Sequence, residues 1–279
     1  MLNYSKQEKI NVLSASCTSA AGLLEVIMGS SQQKHYNVSN AALSGYMAAT
    51  FGRSLIAPDD ILCGKRGFIS NFCKEPNLNK LLGKGDMEIL SGYFKPYAAC
   101  RHCHAPIEAA LKIYEKGIIK DDVKSIDVAT YDLAVFGHDH RDIDSVNSAK
   151  MSTPFGVAVS ILFGDAGMGM YTTSMIQDEN INSMMTKITI KEDIEMSSLV
   201  PEKRAASVCV TLNNGYTYSV RVDYPLGEPE NPVSIETIFS KFDSLLIATQ
   251  YDRNYVEDLH NFLTRINDKT SINEIINQF

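Results

Sequence analysis

The chain has 279 residues, 44% of them hydrophobic and 21% charged, with a formal net charge of −7. This acidic balance excludes a surface that coats nucleic acid, so no nucleic-acid partner is expected. The longest apolar runs, such as Thr153–Gly164, fall short of the roughly 20 residues that cross a bilayer, and Met1–Lys6 lacks the apolar stretch of a secretion signal. The expectation is a cytoplasmic protein with no membrane partner and with its six cysteines reduced.

In chain order, Gln7–Ile27 reads as a helix apolar nearly all round, a pattern that belongs inside a larger body and leaves this one short of a neighbour. Asn37–Arg53 reads as a second helix rich in Ala, Ser and Gly, whose small side chains permit close approach. Pro58-Asp59-Asp60 is a loop leading into a helix, and Asn77–Leu90 a polar loop with short helical pieces. Ala105–Glu115 predicts a regular helix stopped by Gly117. Strand-like alternation then appears at Val123–Tyr131 and Lys187–Ile194. Pro154–Phe163 is an apolar helix between them. Ala206–Leu212 and Tyr216–Tyr224 form a hairpin through Asn213-Asn214-Gly215, residues that accept positive φ. Beyond the proline-punctuated stretch Pro225–Pro232, helices are predicted over Ser234–Ala248, Asn254–Asn267 and Ser271–Gln278. The order, helical then mixed then helical, predicts an α+β fold. A helical domain (1–97, returning at 227–279) is interrupted by a smaller inserted α+β domain (98–226).

Short motifs are weighed singly. Cys100-x-x-Cys103-His104 spells a haem-attachment pattern, but nothing else in the chain suggests a cytochrome. Zinc at Cys100, Cys103 and His102 would need a fourth ligand, and there is no second Cys-x-x-Cys. His138-Asp139-His140 reads as a solvated polar loop. Gly164, Gly167 and Gly169 follow an apolar helix, not a strand, and read as a helix stop. No metal site and no cofactor are expected.

Five segments in order resemble the MmgE/PrpD family. Lys95-Pro96-Tyr97-Ala98-Ala99-Cys100-Arg101-His102-Cys103-His104 is similar to its K-P-Y-x-x-C-R-x-x-H segment. Ser148–Ala158 is similar to A-K-x-S-x-P-F/Y-x-V-A, and Tyr224–Ser234 to Y-P-x-G-x-P-x-N-P. Ala20–Glu25 and Gly64–Phe68 match two further signatures upstream. The resemblance spans nearly the whole chain. It implies a lyase or isomerase of small di- or tricarboxylates, catalysing dehydration, decarboxylation or epimerisation. It further implies a helical domain with a smaller α+β lid, a site in the cleft between them, a homodimer and no required cofactor.

Such chemistry needs cations to hold carboxylates and a base to move a proton at carbon. The resemblance places Lys34, in a K-x-x-x-x-x-N-A-A setting on the turn before the second helix, and Lys95 among active-site lysines. Arg101 offers a two-pronged carboxylate contact or a structural ion pair. His104 is the candidate proton carrier, or a packed helix-start residue. Substrate binding is thus assigned to Lys34, Lys95 and Arg101, and catalysis to His104 and Lys95. Phe155 stands where several relatives carry Tyr, and Cys100 where some carry His, which bears on which reaction is catalysed. Relatives also precede the position of Met1 with a helical segment bearing a catalytic Asp and His residues. The chain is therefore expected to be a truncated or split-gene form, active with a missing N-terminal segment or else a catalytically inactive structural or binding subunit.

Overall fold

In the computed structural model, Ser5 opens the first helix, α1 (Lys6–Thr18), through a capping box. The Ser5 hydroxyl accepts from the Glu8 N–H at 3.3 Å, and the Glu8 carboxylate accepts from the Ser5 N–H at 2.8 Å. The structure describes residues 3–27, 33–81, 88–118, 120–249, 251–267 and 269–278. The chain divides into two compact units, 1–87 and 88–279.

In the first unit α1 ends at Thr18, nine residues before the expected end, and only a 3₁₀ turn at Leu24–Ile27 continues the segment. The hydroxyls of Ser16, Thr18 and Ser19 donate back to the carbonyls of Val12, Ser14 and Ala15, which loosens the last turn. Gly22, at φ +133°, then redirects the backbone. Helix α2 (Lys34–Phe51) starts a turn earlier than its small-residue run, so Lys34 is the first helical residue and not part of a preceding turn. α1 packs against α2 and the Gly52–Ser54 turn. Buried Asn11 joins them, donating to the Arg53 carbonyl at 3.0 Å and accepting from the Ala57 N–H at 3.3 Å. Short helices α3 (Phe68–Phe72) and α4 (Leu78–Leu81) follow.

The second unit is built on one sheet. After α5 (His104–Tyr114) come β1 (Val123–Thr130), α6 (Asp132–Val135), α7 (Val146–Met151), α8 (Thr153–Phe163), α9 (Thr173–Ile176), α10 (Glu179–Thr186) and β2 (Ile188–Glu192). α11 (Ile194–Ser198), β3 (Ala206–Leu212), β4 (Thr217–Val222), α12 (Ile235–Ala248), α13 (Arg253–Leu263) and α14 (Ile272–Ile276) complete it. Strand order is β2-β1-β3-β4, with β1 and β2 parallel and the other pairs antiparallel. A parallel pair cannot close through a tight turn, and the α6–α10 connection supplies the crossover. Val123, Ile126 and Val128 of β1, with Val208, Val210 and Leu212 of β3, are buried. α5 packs on β3 and β4, and α8 on α5, β2 and α10. The two central helices approach closely because Gly156 carries no side chain: a Cβ there would lie 2.8 Å from Ile107 Cδ1.

The expected hairpin is present, closed by Leu212 N–H to Tyr216 O at 2.8 Å with Gly215 at φ +85°. β2 stops two residues early because Asp193 turns out to cap α11, accepting from the Met196 N–H at 3.0 Å. The expected solvated loop at His138 is also corrected. Gly137, at φ +72°, turns the chain inward and His138 is fully buried, its Nδ1 2.8 Å from the Phe136 carbonyl. Among the described residues no helix is long and apolar enough to cross a membrane.

Candidate functional site

The segment Phe94–His104 runs along the second unit and is tied down at three points. Phe94 N–H donates to Gly227 O at 2.9 Å, Ala98 N–H to Ala166 O at 3.0 Å, and Cys100 N–H to Lys150 O at 2.7 Å. Two other segments noted in the sequence, around Lys150 and Gly227, thus meet this one. Each does so through backbone groups, whose pairing is obligatory once buried.

The stretch Tyr224–Asn231 folds into a turn closed by Gly227 N–H to Asn231 O at 2.8 Å and Asn231 Nδ2 to Tyr224 O at 2.9 Å. From this turn Glu228 pairs with Arg101, the two side chains being only 11% and 8% exposed. The Arg101 guanidinium also lies over the Tyr93 ring, 5.0 Å from its centroid. Buried Glu108 of α5 accepts from the Leu226 N–H and from Lys112 Nζ, the latter at 2.7 Å. The turn is therefore a clamp on the region that carries the candidate residues.

His104 is 1% exposed at the start of α5, its Nε2 3.3 Å from the Ala99 carbonyl and its ring edge-on to Tyr97. A carbonyl neighbour assigns the proton of the neutral ring to Nε2. Burial first, and then the positive charges of Arg101, Lys95 and Lys241, push the imidazole down to about 3. Four basic side chains thus gather in one region. Lys95 is exposed, and its carbonyl accepts from the Lys241 ammonium of α12. Burial, with Lys95 close by, holds Lys241 below the usual lysine range. A cavity of about 470 Å³ opens here, lined by Pro96, Ala98, Gly167, Ser240, Lys241 and Ser244 among others.

The structure brings Lys95, Arg101 and His104 together within the second unit. Lys34 lies in the first unit, half-buried at the start of α2. Lys241 was missed, because a single lysine in an amphipathic helix carries no mark of function. Also unforeseen is a ring cluster in which His102 Nδ1 sits 2.7 Å from the Tyr131 hydroxyl and 5.1 Å separate the His102 and His138 rings. Phe155 is fully buried 5.3 Å from the Tyr171 ring. Cys103 is fully buried, its sulfur accepting from Thr153 Oγ1 at 3.4 Å. Among the described residues no group of three His, Cys, Asp or Glu side chains could hold a metal ion.

Fold and site together define an α+β domain in which Lys241 lines a small cavity beside the Lys95–His104 segment. The chain belongs to the MmgE/PrpD family: the model of the MmgE/PrpD C-terminal domain matches residues 97–258. It is similar to 2-methylcitrate dehydratase of Escherichia coli (strain K12), 26% identical over 136 residues, or 45% of this chain and 28% of that protein. It is likewise similar to 2-methylcitrate dehydratase of Salmonella typhimurium, 26% identical over 161 residues, or 54% of this chain and 33% of that protein. The matched segment therefore spans about a third of these relatives.

Proposed function

We propose that this chain supplies the carboxylate-holding part of a lyase acting on a small di- or tricarboxylate, with 2-methylcitrate as the first candidate. The observation that carries the reading is the Lys241 ammonium, which lines an open cavity beside the Lys95–His104 segment and donates to the Lys95 carbonyl. In this reading a base takes the proton from the carbon next to a carboxylate. The electron pair left behind forms the double bond, and the neighbouring hydroxyl leaves with a proton as water. Cations lower the barrier by holding the carboxylate as negative charge builds on it. Lys95 and Arg101 are the substrate-holding residues, and His104 and Lys95 the candidates for proton movement. His104 is neutral when the site is empty, and a bound carboxylate would offset the part of its depression that comes from the neighbouring cations.

Decarboxylation and epimerisation begin with the same carbanion-like charge and remain alternatives within the reading. A homodimer, a cytoplasmic location, and a distinct domain over residues 98–226 belong to the same proposal. The test is turnover of 2-methylcitrate by the purified chain, alone and with any N-terminal partner polypeptide, and by its Lys95→Ala variant. Activity that falls at least about a hundredfold on removing Lys95 would support the reading, since loss of one transition-state charge contact costs on that scale. Unchanged turnover in the variant would remove Lys95 from the site.

One observation favours a second reading, an inactive structural or binding subunit. Helix α2 exposes Val38, Leu43, Tyr46 and Phe51, each at 60% or more. Turnover by the isolated chain would rule this out.

A further inference from the structure

Lys241 lies in α12, in a stretch that none of the family-like segments includes. Its ammonium donates to the Lys95 carbonyl, and the Lys95 ammonium is near enough to disfavour the charge on Lys241. Among the described residues neither ammonium is ion-paired with a carboxylate. An ammonium with no carboxylate against it gains from a bound anion. Glu236 lines the same cavity and is ionised, its pKa held low by its own backbone N–H and by Ser234, so a bound carboxylate has to sit on the Lys241 side.

The space itself fits an anion. At about 470 Å³ it is in the range of small-ligand pockets. Its wall beside Lys241 is one face of α12: Thr237, Ser240, Lys241 and Ser244 recur at the three- and four-residue spacing that puts side chains on one side. An ammonium has three N–H donors, and the Lys95 carbonyl uses one of them, so two remain, with hydroxyls flanking them.

We infer that Lys241 is a further substrate-binding residue, which with Lys95 holds one carboxylate of a small polycarboxylate in the cavity bounded by α12 and the Pro96–Ala98 segment. This deepens the proposed lyase reading and rests on it. It assigns Lys241 a role through its charge, over and above its hydrogen bond to the Lys95 carbonyl.

The experiment is isothermal titration of the full chain with citrate, a tricarboxylate probe, for wild type, Lys241→Gln, Lys241→Arg, Lys95→Gln and Lys191→Gln. Lys191 is an exposed lysine of β2 and controls for net charge. Thermal unfolding of each variant checks the fold. Glutamine can still donate to the Lys95 carbonyl, so Lys241→Gln separates charge from hydrogen bonding, and Lys241→Arg restores the charge should the neutral variant misfold. Expected is a loss of citrate affinity of roughly 10- to 100-fold in Lys241→Gln and Lys95→Gln, the scale of a charged hydrogen bond. Lys241→Arg should stay within about threefold of wild type, a difference well under 1 kcal/mol, and Lys191→Gln unchanged. Citrate binding lost in Lys95→Gln but kept in Lys241→Gln would overturn the role of Lys241 alone. Equal weakening by Lys191→Gln would reduce the effect to net charge and overturn it as well. A wild-type chain that binds no citrate would sink the lyase reading together with this inference.

Discussion

The backbone N–H of Phe94 donates to the carbonyl of Gly227 across 2.9 Å, and a Cβ on Gly227 would run into the Phe94 carbonyl. Gly227 also sits at φ +98°, where an L side chain is strained. One glycine therefore lets the clamp turn lie directly against the residue that precedes Lys95. Gly227→Ala should cost about 2–5 kcal/mol, combining left-handed strain with steric overlap. Urea denaturation would read this as a lower midpoint at unchanged slope. A midpoint equal to wild type would mean that the two backbones do not meet as described.

Arg101 and Glu228 form a pair whose partners are both nearly buried. Burial, and then the charge of Arg204, pull the guanidinium's pKa downward, yet an arginine stays charged and needs a counter-charge when dry. Glu228→Gln should therefore destabilise by about 3–5 kcal/mol, because it strands that charge. A double change, Arg101→Met with Glu228→Met, should recover most of the loss. If instead the single change is silent in chemical denaturation while substrate binding tightens, the pair is a latch that opens to free Arg101 for a carboxylate.

Much of this architecture was legible in the sequence. The alternation in Val123–Thr130 and Ala206–Leu212 survives as the buried face of the two central strands. Asn213-Asn214-Gly215 makes its turn, and Gly164 stops α8 at φ +67°. α10 was legible but overlooked: Asp178 caps it and Ile181, Met184 and Met185 keep helical spacing on the buried side. Other features were not legible, because they depend on residues far apart in the chain. No local pattern announces that Glu228 will neutralise Arg101, or that Lys241 will reach the carbonyl of Lys95. The burial of His138 likewise comes from the turn at Gly137, in a tripeptide whose composition suggests a surface.

Gly156 on α8 faces Ile107 on α5, and an added Cβ would stand 2.8 Å from Cδ1 and 2.9 Å from Cγ1. In an open helix Gly→Ala gains about 1 kcal/mol from backbone entropy. Here overpacking opposes that gain, at a typical cost of about 1–3 kcal/mol. Gly156→Ala should be net destabilising by about 1 kcal/mol. Ile107→Val, which removes the Cδ1 contact, should cost less in the Gly156→Ala background than alone. Additive effects in a double-mutant cycle would show that the two side chains do not share that space.

His104 gives the pH dependence its sign. The folded chain holds its imidazole near 3 against an ordinary value of 6.5, burial being the main cause and Arg101 the next. Between those values the unfolded chain binds a proton that the folded chain does not, so stability rises with pH there and is lost as pH falls. Above about pH 6.5 the contribution is constant; across the window it changes by up to about 1.4 kcal/mol per pH unit. Glutamine at 104 keeps a donor for the Ala99 carbonyl but does not titrate. Wild type should therefore lose stability between pH 6 and pH 4 more steeply than His104→Gln, by about one proton's worth of slope. Parallel curves would show that His104 is charged or solvent-reached in the native state, which would return it to consideration as a proton donor in the empty site.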